Sequence, residues 1–361
     1  MNINLMGSTS NTGYGIATKY IIDALHKLDH KVSLFSKGNI QADTKEELDF
    51  LNGCAANANE FDYDAPTLQI WHQFDLANRV GRGEYTAMPI FELNKFNDIE
   101  KHHLGFPDRL TVCSSWAASI IEEQIGRKAD VVPLGVDSSV FNAEARTDEL
   151  TTLFKPEDEY TFFNIGKWEK RKGHDTLGRC FDKAFNKTDN VRLIMMPHNP
   201  FLTPGQTRGW LNQYSTLSLA SKIHVLPAVK GHKDVAAAMA TVDCGVFPAR
   251  AEGWNMELLE MMSCGKPVIT TNYSAHTEYC DADNSFLIEP SDGLEDAYDG
   301  IWFHGQGEWM DFDLDQEEQL IEHMRFCYKN RPDNPQGIVT AGRFSWENTA
   351  KTLLTSMGVT V

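Results

Sequence analysis

Two glutamates, Glu252 and Glu260, are the residues whose type and spacing point most directly to chemistry. They lie in the segment EGWNMELLEMMSCGKPVI, residues 252–269, where a predicted strand is followed by a turn and then by a helix. The start of such a helix presents unpaired backbone N–H groups and a partial positive charge, which suit a phosphate group. The spacing alone leaves two interpretations open: a pair of binding-site acids, or a solvated loop acid and a helix-surface acid.

A second segment concentrates positive charge in an otherwise acidic protein. Residues 164–174, NIGKWEKRKGH, place four cations within six positions, from Lys167 to Lys172. The segment follows a predicted strand, and cations at the carboxyl end of a strand can hold a diphosphate. Taken alone, such a run is more typical of a solvated turn, so its meaning depends on the rest of the chain.

The elements that would position these residues alternate between short apolar strands and amphipathic helices, which predicts parallel sheets covered by helices. Strands are predicted over 3–6, 31–35, 68–72, 87–91, 109–113, 130–133, 162–165, 192–196, 223–226, 244–247, 267–270 and 286–288. Helices are predicted over 16–28, 117–125, 175–186, 207–216, 232–240, 257–264, 316–328 and 345–356, and 7–15 is predicted to be a loop. The fold class is therefore α/β with two doubly wound, Rossmann-like halves, and ligands of such sheets bind at the carboxyl ends of the strands.

Further segments fit with the two that carry the charges. They are VVPLGVD at 131–137 with Phe141, IGK to RKGHD across 165–175, TTNYSAHTE at 270–278 and the glycine loop at 13–15. Together with Glu-Gly-Trp-Asn-x4-Glu and Met-x-Cys-Gly-x-Pro-Val-Ile, they resemble retaining glycosyltransferases of the GT-B fold, specifically glycosyltransferase family 4. The resemblance covers nearly the whole chain in the expected order. It outweighs the interpretation of the two charged segments as solvated surface residues.

The resemblance implies two domains that face a central cleft. Residues 1–143, joined by the C-terminal helix at about 345–361, would be the N-terminal Rossmann-like acceptor domain. Residues 144–344 would be the C-terminal nucleotide-sugar donor domain, entered through an acid-rich linker at 144–159 that has room for one short helix.

The resemblance also implies a role for each matching residue. Glu260 would bind the ribose hydroxyls of the nucleotide, and Glu252 would lie near the donor sugar. Lys172 and Lys167 would clamp the diphosphate and, with Glu252, form the catalytic set. Further substrate contacts are expected from Arg171, Gly253, Trp254, Asn255 and Met256, and from Gly13 and Gly15 in the N-terminal half.

Three positions depart from the family pattern. Lys167 stands where arginine is common, which keeps the charge and loses the bidentate geometry. Asn255 stands where many members carry glycine. The histidine that many members carry on the strand predicted at 87–91 is missing, so either Glu92 or His72 is expected to take its place near the sugar, with a purely structural role open for each. His276 and Glu278 are weaker site candidates, since a loop histidine is as often a packing residue as a ligand.

Composition excludes several classes of protein. The 361 residues carry a net charge of -18, which opposes binding to nucleic acid or anionic lipid through the overall field. The seven cysteines form no Cys-x-x-Cys pair, and no apolar run reaches membrane-spanning length. We expect a cytoplasmic protein with reduced thiols, without a secretion signal and without an integral membrane segment; the oligomeric state is left open.

The predicted reaction moves a hexose or pentose from a nucleotide-diphosphate sugar to a hydroxyl by a front-face, retaining mechanism. The two charged segments, 164–174 and 252–269, contain no Asp-x-Asp motif of the kind that metal-dependent transferases use, so no metal and no further cofactor are expected. The acceptor is predicted to be a glycan or small molecule. One alternative is a viral-type DNA glycosyltransferase acting on a modified base, steered by a local patch of Lys95, Lys101, His102, His103 and Arg109. The alternative outside enzymes is a nucleotide-sugar binding protein without turnover.

Overall fold

The computed structural model describes residues 1–155, 159–229, 231–291 and 293–359. The chain forms two compact units: the first comprises Met1–Gly135 and Phe344–Val361, and the second comprises Val136–Arg343. The sequence placed this boundary after residue 143. The structure divides earlier because Phe141 is 1% exposed inside the second unit, where its carbonyl accepts a hydrogen bond of 2.6 Å from the Ser263 hydroxyl.

The first unit contains a six-stranded parallel sheet in the order β2-β1-β3-β4-β5-β6. Its strands are β1 (Asn2–Gly7), β2 (Lys31–Ser36), β3 (Thr67–Ile70), β4 (Tyr85–Met88), β5 (Arg109–Val112) and β6 (Asp130–Val131). Its helices are α1 (Gly13–Lys27), α2 (Lys45–Asn57), α3 (Asp98–Gly105) and α4 (Ser115–Ile125). Strands β1, β3 and β4 are buried on both faces, as expected for a parallel sheet covered by helices.

The second unit contains a second six-stranded parallel sheet, in the order β12-β11-β10-β7-β8-β9. Its strands are β7 (Tyr160–Gly166), β8 (Val191–Pro197), β9 (Ile223–Val225), β10 (Cys244–Phe247), β11 (Val268–Thr271) and β12 (Phe286–Ile288), followed by an antiparallel hairpin of β13 (Leu294–Tyr298) and β14 (His304–Met310). Its helices are α5 (Asp148–Phe154), α6 (His174–Ala184), α7 (Pro204–Ser215), α8 (His232–Thr241), α9 (Met256–Ser263), α10 (Leu314–Asn330) and α11 (Pro335–Arg343).

The last helix, α12 (Trp346–Ser356), returns to the first unit. The Ser345 hydroxyl caps it by accepting a hydrogen bond of 3.1 Å from the Asn348 amide. The Trp346 ring stacks on Tyr20 of α1 at 4.8 Å, and a Cβ at Gly135 would meet the Trp346 backbone at 2.3 Å. The two α/β sheets confirm the predicted fold class.

One correction concerns the predicted glycine loop. Gly13 and Gly15 lie in the first turn of α1, not in the loop before it. A Cβ at Gly15 would come within 2.0 Å of the Ser10 carbonyl oxygen, so glycine is needed where the preceding loop crosses the helix.

Several elements were not predicted from the sequence. No helix was predicted for the segments that form α2, α3 and α11, although Asn97 and Glu100 form a capping box at the start of α3. The hairpin β13–β14 was missed because it contains Gly305 and Gly307, and glycine is untypical of a strand. In the structure these two glycines adopt positive φ values of 86° and 81°. Part of the predicted linker forms α5, and its residues 156–158 lie outside the described residues.

Across the described residues, no helix is long and apolar enough to cross a membrane.

Candidate functional site

The predicted donor-site residues come together at one edge of the sheet of the second unit. Lys167 to Lys172 follow the carboxyl end of β7, and Glu252 to Asn255 follow β10, its neighbour in the sheet. The loop after β11, which contains His276, joins them from the other side of β10. Three adjacent strands therefore deliver the charged loops to a common edge, where ligands of such sheets bind.

Glu252 is buried at the centre of this group, with 4% of its surface exposed. Its carboxylate lies 2.8 Å from a guanidinium nitrogen of Arg171 and 3.0 Å from Nζ of Lys172. Its backbone amide donates to the Ser274 hydroxyl at 2.8 Å. Burial raises the pKa of Glu252, but the charges of Arg171 and Lys172 outweigh burial and lower it to about 2. Glu252 is therefore ionised at neutral pH.

Lys172 lies between two acids, 3.0 Å from Glu252 and 3.9 Å from Glu257. Its side chain is only 11% exposed. Burial lowers the pKa of Lys172, but the negative charges of Glu252 and, secondly, of Glu257 raise it. Together the two acids outweigh burial, so the pKa lies above its usual value. Lys172 is thus a permanent cation that cannot act as a base. Gly166, with φ 145°, passes close to it, since a Cβ there would stand 3.4 Å from the Lys172 side chain.

The four cations of this run, which include the predicted clamp of Lys167 and Lys172, each lie near an acid in the structure. Lys167 is 40% exposed and lies 3.1 Å from Glu169. Lys170 lies 4.0 Å from Glu295 on the hairpin. With the pairs of Arg171 and Lys172 to Glu252, every cation of the run has an acid beside it.

Arg171 was predicted to contact substrate, and its guanidinium lies between two acids in the structure. The side chain is 3% exposed, and its guanidinium lies 2.9 Å from Glu169 and 2.8 Å from Glu252. It also donates to the Ala251 carbonyl at 2.7 Å. Arg171 fastens the loop after β7 to the loop after β10 and so holds Glu252 in place.

The start of α9 is shaped by Asn255. Its φ of 77° lies in the left-handed region, which glycine and asparagine tolerate best. The Asn255 Oδ1 accepts a hydrogen bond of 3.4 Å from the Leu258 amide, so Asn255 caps the helix. The backbone conformation explains why asparagine can stand at a position where glycine is also expected.

His276 fixes the orientation of the Asn255 side chain. Its Nε2 lies 2.9 Å from Asn255 Nδ2, and its Nδ1 lies 3.1 Å from the Thr271 carbonyl. The carbonyl only accepts, so Nδ1 carries the proton and Nε2 accepts from the amide. Burial lowers the pKa of His276 to about 4, so the ring is neutral. His276 is a positioning residue for the helix start.

The other predicted residues of this loop, Gly253, Trp254 and Met256, are buried. Trp254 is 2% exposed and packs on the Tyr279 ring at 4.9 Å. The Tyr279 hydroxyl lies 2.8 Å from the Trp254 carbonyl. The Trp254 side chain is therefore a core residue, and the N–H groups at the start of α9 are what the loop can offer a ligand.

Glu260 lies one turn into α9 in a contrasting environment. It is 9% exposed, and among the described residues no cation forms an ion pair with it. Burial, and secondly the charge of Glu257, raise its pKa well above the usual range of a carboxyl. Glu260 therefore binds a proton more readily than Glu252 does.

In the first unit, the predicted residues Gly13, Gly15, His72 and Glu92 surround Tyr14. The Tyr14 ring lies 4.4 Å from His72 and 5.7 Å from Trp71. Its hydroxyl donates to the Ile90 carbonyl and accepts from the Ile90 amide at 3.2 Å. Burial, and then the charge of Glu92, raise the pKa of Tyr14 well above its usual value.

The family of the second unit is decided by a sequence match. Residues 159–302 match the family model described as Glycosyl transferases group 1. The second unit carries a group 1 glycosyltransferase domain. The matched range includes Lys167, Lys172, Glu252 and Glu260, so the charged loops belong to this glycosyltransferase domain.

Comparison with individual proteins supports the same assignment. D-inositol 3-phosphate glycosyltransferase of Mycobacterium bovis is 25% identical over 232 residues, which cover 63% of this chain and 43% of that protein. The chain thus spans less than half of the curated relative it matches. Sucrose-phosphate synthase from Thermosynechococcus elongatus superposes with a TM-score of 0.72 at 14% identity, covering 98% of each chain.

Anabaena HepE in complex with UDP-glucose superposes with a TM-score of 0.71 at 14% identity, covering 99% of each chain. These structural likenesses show the fold. The predicted relationship to GT-B glycosyltransferases, inferred from the motifs, is confirmed.

Two features of the glycosyltransferase domain were missed from the sequence. Arg250 is 4% exposed, donates to the Lys170 carbonyl at 2.6 Å and to Glu295 of β13 at 3.0 Å. It ties the hairpin to the cationic loop. Ser274, with φ 54°, accepts from the Glu252 amide. The roles of Arg250 and Ser274 could not be found without the tertiary contacts. Tyr14 of the first unit differs from them, because it lies inside the glycine motif that was identified in the sequence.

In the described ranges, no group of three or more His, Cys, Asp or Glu side chains is arranged to hold a metal ion. Metal independence remains a prediction.

Proposed function

We propose that the protein is a retaining glycosyltransferase that moves a sugar from a nucleotide-diphosphate sugar to a hydroxyl acceptor without a metal ion. The observation that carries the proposal is the pair of Lys172 and Glu252 beside the start of α9, within a glycosyltransferase domain. The donor class is supported further by the similar fold of HepE, whose crystal structure contains UDP-glucose.

In the proposed donor complex, the diphosphate lies at the N–H groups that begin α9 and contacts Lys172. Both supply positive charge that is fixed before the reaction begins. Glu260 accepts hydrogen bonds from the ribose hydroxyls. Lys167, whose side chain is 40% exposed, approaches the diphosphate from the side.

Bond changes in the proposed step are balanced within the two substrates. The bond between the anomeric carbon and the phosphate oxygen breaks, and its electron pair stays on the phosphate. The acceptor oxygen bonds to the same face of the anomeric carbon, and its proton passes to the departing phosphate oxygen. Because the pKa of Lys172 is raised, that lysine stays charged and stabilises the leaving group.

Glu252 is proposed to stabilise the positive charge that develops on the sugar ring. Its low pKa of about 2 keeps it ionised throughout. Occupation of Lys172 by the diphosphate loosens the Lys172–Glu252 pair, while Arg171 continues to hold the Glu252 carboxylate. The same carboxylate then faces the donor sugar.

The acceptor is proposed to be a glycan or small molecule that binds the first unit near Tyr14. The Phe74 ring is 50% exposed and stacks on His72 at 5.0 Å, and Trp71 lies 5.2 Å from His72. Aromatic rings of this kind suit the apolar face of a sugar ring. Glu92, close to Tyr14, supplies a hydrogen-bond acceptor for sugar hydroxyls.

DNA is less well supported as the acceptor, because part of the basic patch in the first unit is already engaged. Arg109 lies 2.7 Å from Glu84, and His103 Nδ1 accepts hydrogen bonds from the Leu76 and Ala77 amides at 3.1 and 3.0 Å.

The test is a donor screen followed by an acceptor screen. Thermal shift with UDP-, GDP- and ADP-sugars selects the donor, and release of nucleoside diphosphate then reports transfer to sugars, small hydroxyl compounds and DNA. We expect transfer to continue in the presence of a metal chelator. We also expect the product to keep the anomeric configuration of the donor, which NMR measures. Tight donor binding without transfer to any acceptor would favour a binding protein, and an inverted product would contradict the retaining step.

A further inference from the structure

A second charged cavity lies in the second unit, away from the proposed donor site. It has a volume of about 440 Å³, and its charged lining consists of Arg146, Asp243, Lys266, Arg331 and Asp333, beside Tyr160. Tyr160 begins β7, Asp243 precedes β10 and Lys266 precedes β11. The cavity therefore lies at the amino ends of the strands whose carboxyl ends carry the donor site, roughly 20 Å away along a seven-residue strand.

Lys266 is the unusual residue of this cavity. It is 9% exposed, yet no described residue forms a hydrogen bond or ion pair with its ammonium group. Its backbone is held firmly, because its carbonyl accepts from Asn334 Nδ2 at 3.0 Å and its amide donates to the Met261 carbonyl at 3.3 Å. A buried ammonium without an anion is unfavourable, and lysines are rarely buried unless paired.

The acids of the cavity do not neutralise this lysine. Asp243 lies 2.5 Å from Nζ of Lys155 and also accepts from the Thr161 amide at 2.9 Å, so its charge is already used. Asp333 forms no ion pair among the described residues. Burial, and then the nearby charge of Arg146, lower the pKa of Lys266 to about 8, although the charge of Asp243 opposes them in part.

Two guanidinium groups complete the lining. Arg146 is anchored through Nε, which donates to the Ala240 carbonyl at 2.6 Å. Arg331 stands in a left-handed conformation, φ 47°, at the end of α10, and its guanidinium lies over the Tyr160 ring at 5.5 Å. Guanidinium forks and an ammonium group together match the oxygens of a phosphate.

We propose that this cavity is a second ligand site, which binds a small phosphorylated molecule through Lys266, Arg146 and Arg331. The phosphate group is the counter-ion that Lys266 lacks, and the remaining volume accommodates a small organic body. The site is distinct from the donor site and requires no sugar transfer. Its occupant contacts the Gly265-Lys266 connection between α9 and β11.

The test compares the binding of inorganic phosphate in the wild type, Lys266→Met and Lys266→Arg by isothermal titration and thermal shift, with chloride at matched ionic strength. The Lys266→Met side chain keeps the apolar stem and removes the charge. We expect its phosphate dissociation constant to rise at least about tenfold, while Lys266→Arg stays within a few-fold of the wild type. Phosphate binding at Lys172 contributes equally to all three proteins and cancels in the comparison.

The matched control is Lys233→Met, which removes an exposed lysine from α8 and should leave phosphate binding unchanged. Without phosphate, Lys266→Met should unfold at the same temperature as the wild type or higher, since it removes an unpaired buried charge. Should Lys266→Met not fold, Arg146→Gln supplies the same comparison. An equal phosphate response in wild type and in the cavity variants, or none in the wild type, would overturn the proposal.

Discussion

Glu252 and Glu260 occupy neighbouring stretches of one segment, yet their surroundings are opposite. Glu252 is buried between Arg171 and Lys172, which lower its pKa to about 2. Glu260 is buried without a cation and beside Glu257, and its pKa is raised well above the usual range. Burial is common to both residues, so the neighbouring charges decide which acid is ionised.

The difference separates two functions that a motif cannot separate. An acid with a fixed negative charge suits the developing charge on a sugar ring. An acid that holds a proton until hydroxyl donors arrive suits the ribose.

The largest effect is expected from Glu252→Gln. The change leaves Arg171 and Lys172 short of an anion in a buried site, and we expect unfolding to become easier by about 3 kcal/mol, measured by denaturant titration at neutral pH. Because the folded pKa of Glu252 lies below the unfolded value, its stabilisation is present above the unfolded pKa and is lost as pH falls towards about 2. In Glu252→Gln, the free energy of unfolding should not show this decrease at low pH.

Glu257→Gln is the matched control, since Glu257 is 29% exposed and lies 3.9 Å from Lys172. Its stability should change by less than about 1 kcal/mol. Equal losses in both glutamine variants would show that Glu252 has no special pairing.

Lys172→Ala should slow sugar transfer by about 100-fold, because one fixed cation at the leaving group is worth roughly 3 kcal/mol in an enclosed site. Donor affinity should fall less than the rate does. Single-turnover rates and equilibrium binding separate the two quantities. Lys167→Ala serves as the comparison, with a smaller loss expected from a side chain that is 40% exposed. A rate unchanged in Lys172→Ala would remove the lysine from the reaction.

Glu260→Gln should weaken binding of the nucleoside diphosphate about tenfold, roughly 1.4 kcal/mol, with little change in transfer at saturating donor. Stability at neutral pH should not fall, in contrast to Glu252→Gln. The raised folded pKa of Glu260 means that its contribution to stability is present below the unfolded pKa and is lost as pH rises through the folded pKa. Urea titrations across this range should show that loss in the wild type and not in the variant.

The smallest effect is expected at Asn255, where the left-handed φ of 77° and the helix cap coincide. Asn255→Ala should cost about 1 kcal/mol of stability, because it loses the cap and strains the backbone. Asn255→Gly relieves the strain and should cost less. Thermal unfolding of the two variants gives the order, and an alanine variant as stable as the glycine variant would show that the backbone strain is absent.

The sequence was sufficient for the α/β fold and for the segments that carry Glu252, Glu260 and Lys172, because each lies in a short stretch that one strand–loop–helix unit builds. It did not predict that every cation of the run between Lys167 and Lys172 has an acid partner, since Glu295 and Glu252 are distant in sequence. The hairpin β13–β14 was not predicted because its strand contains glycines, which adopt positive φ values in the structure. Tyr14 became a site candidate only when the structure placed His72 and Ile90 beside it.

The most direct test of the contrast between the two acids is the number of protons released on donor binding. Calorimetric titration with the tightest-binding nucleoside diphosphate, in buffers of different ionisation enthalpy, gives that number for the wild type, Glu260→Gln and Glu252→Gln. Glu260 should give up its proton when ribose hydroxyls bind it, so the wild type and Glu252→Gln should release more protons than Glu260→Gln. Equal release by the wild type and Glu260→Gln, or a loss of release in Glu252→Gln alone, would contradict the account.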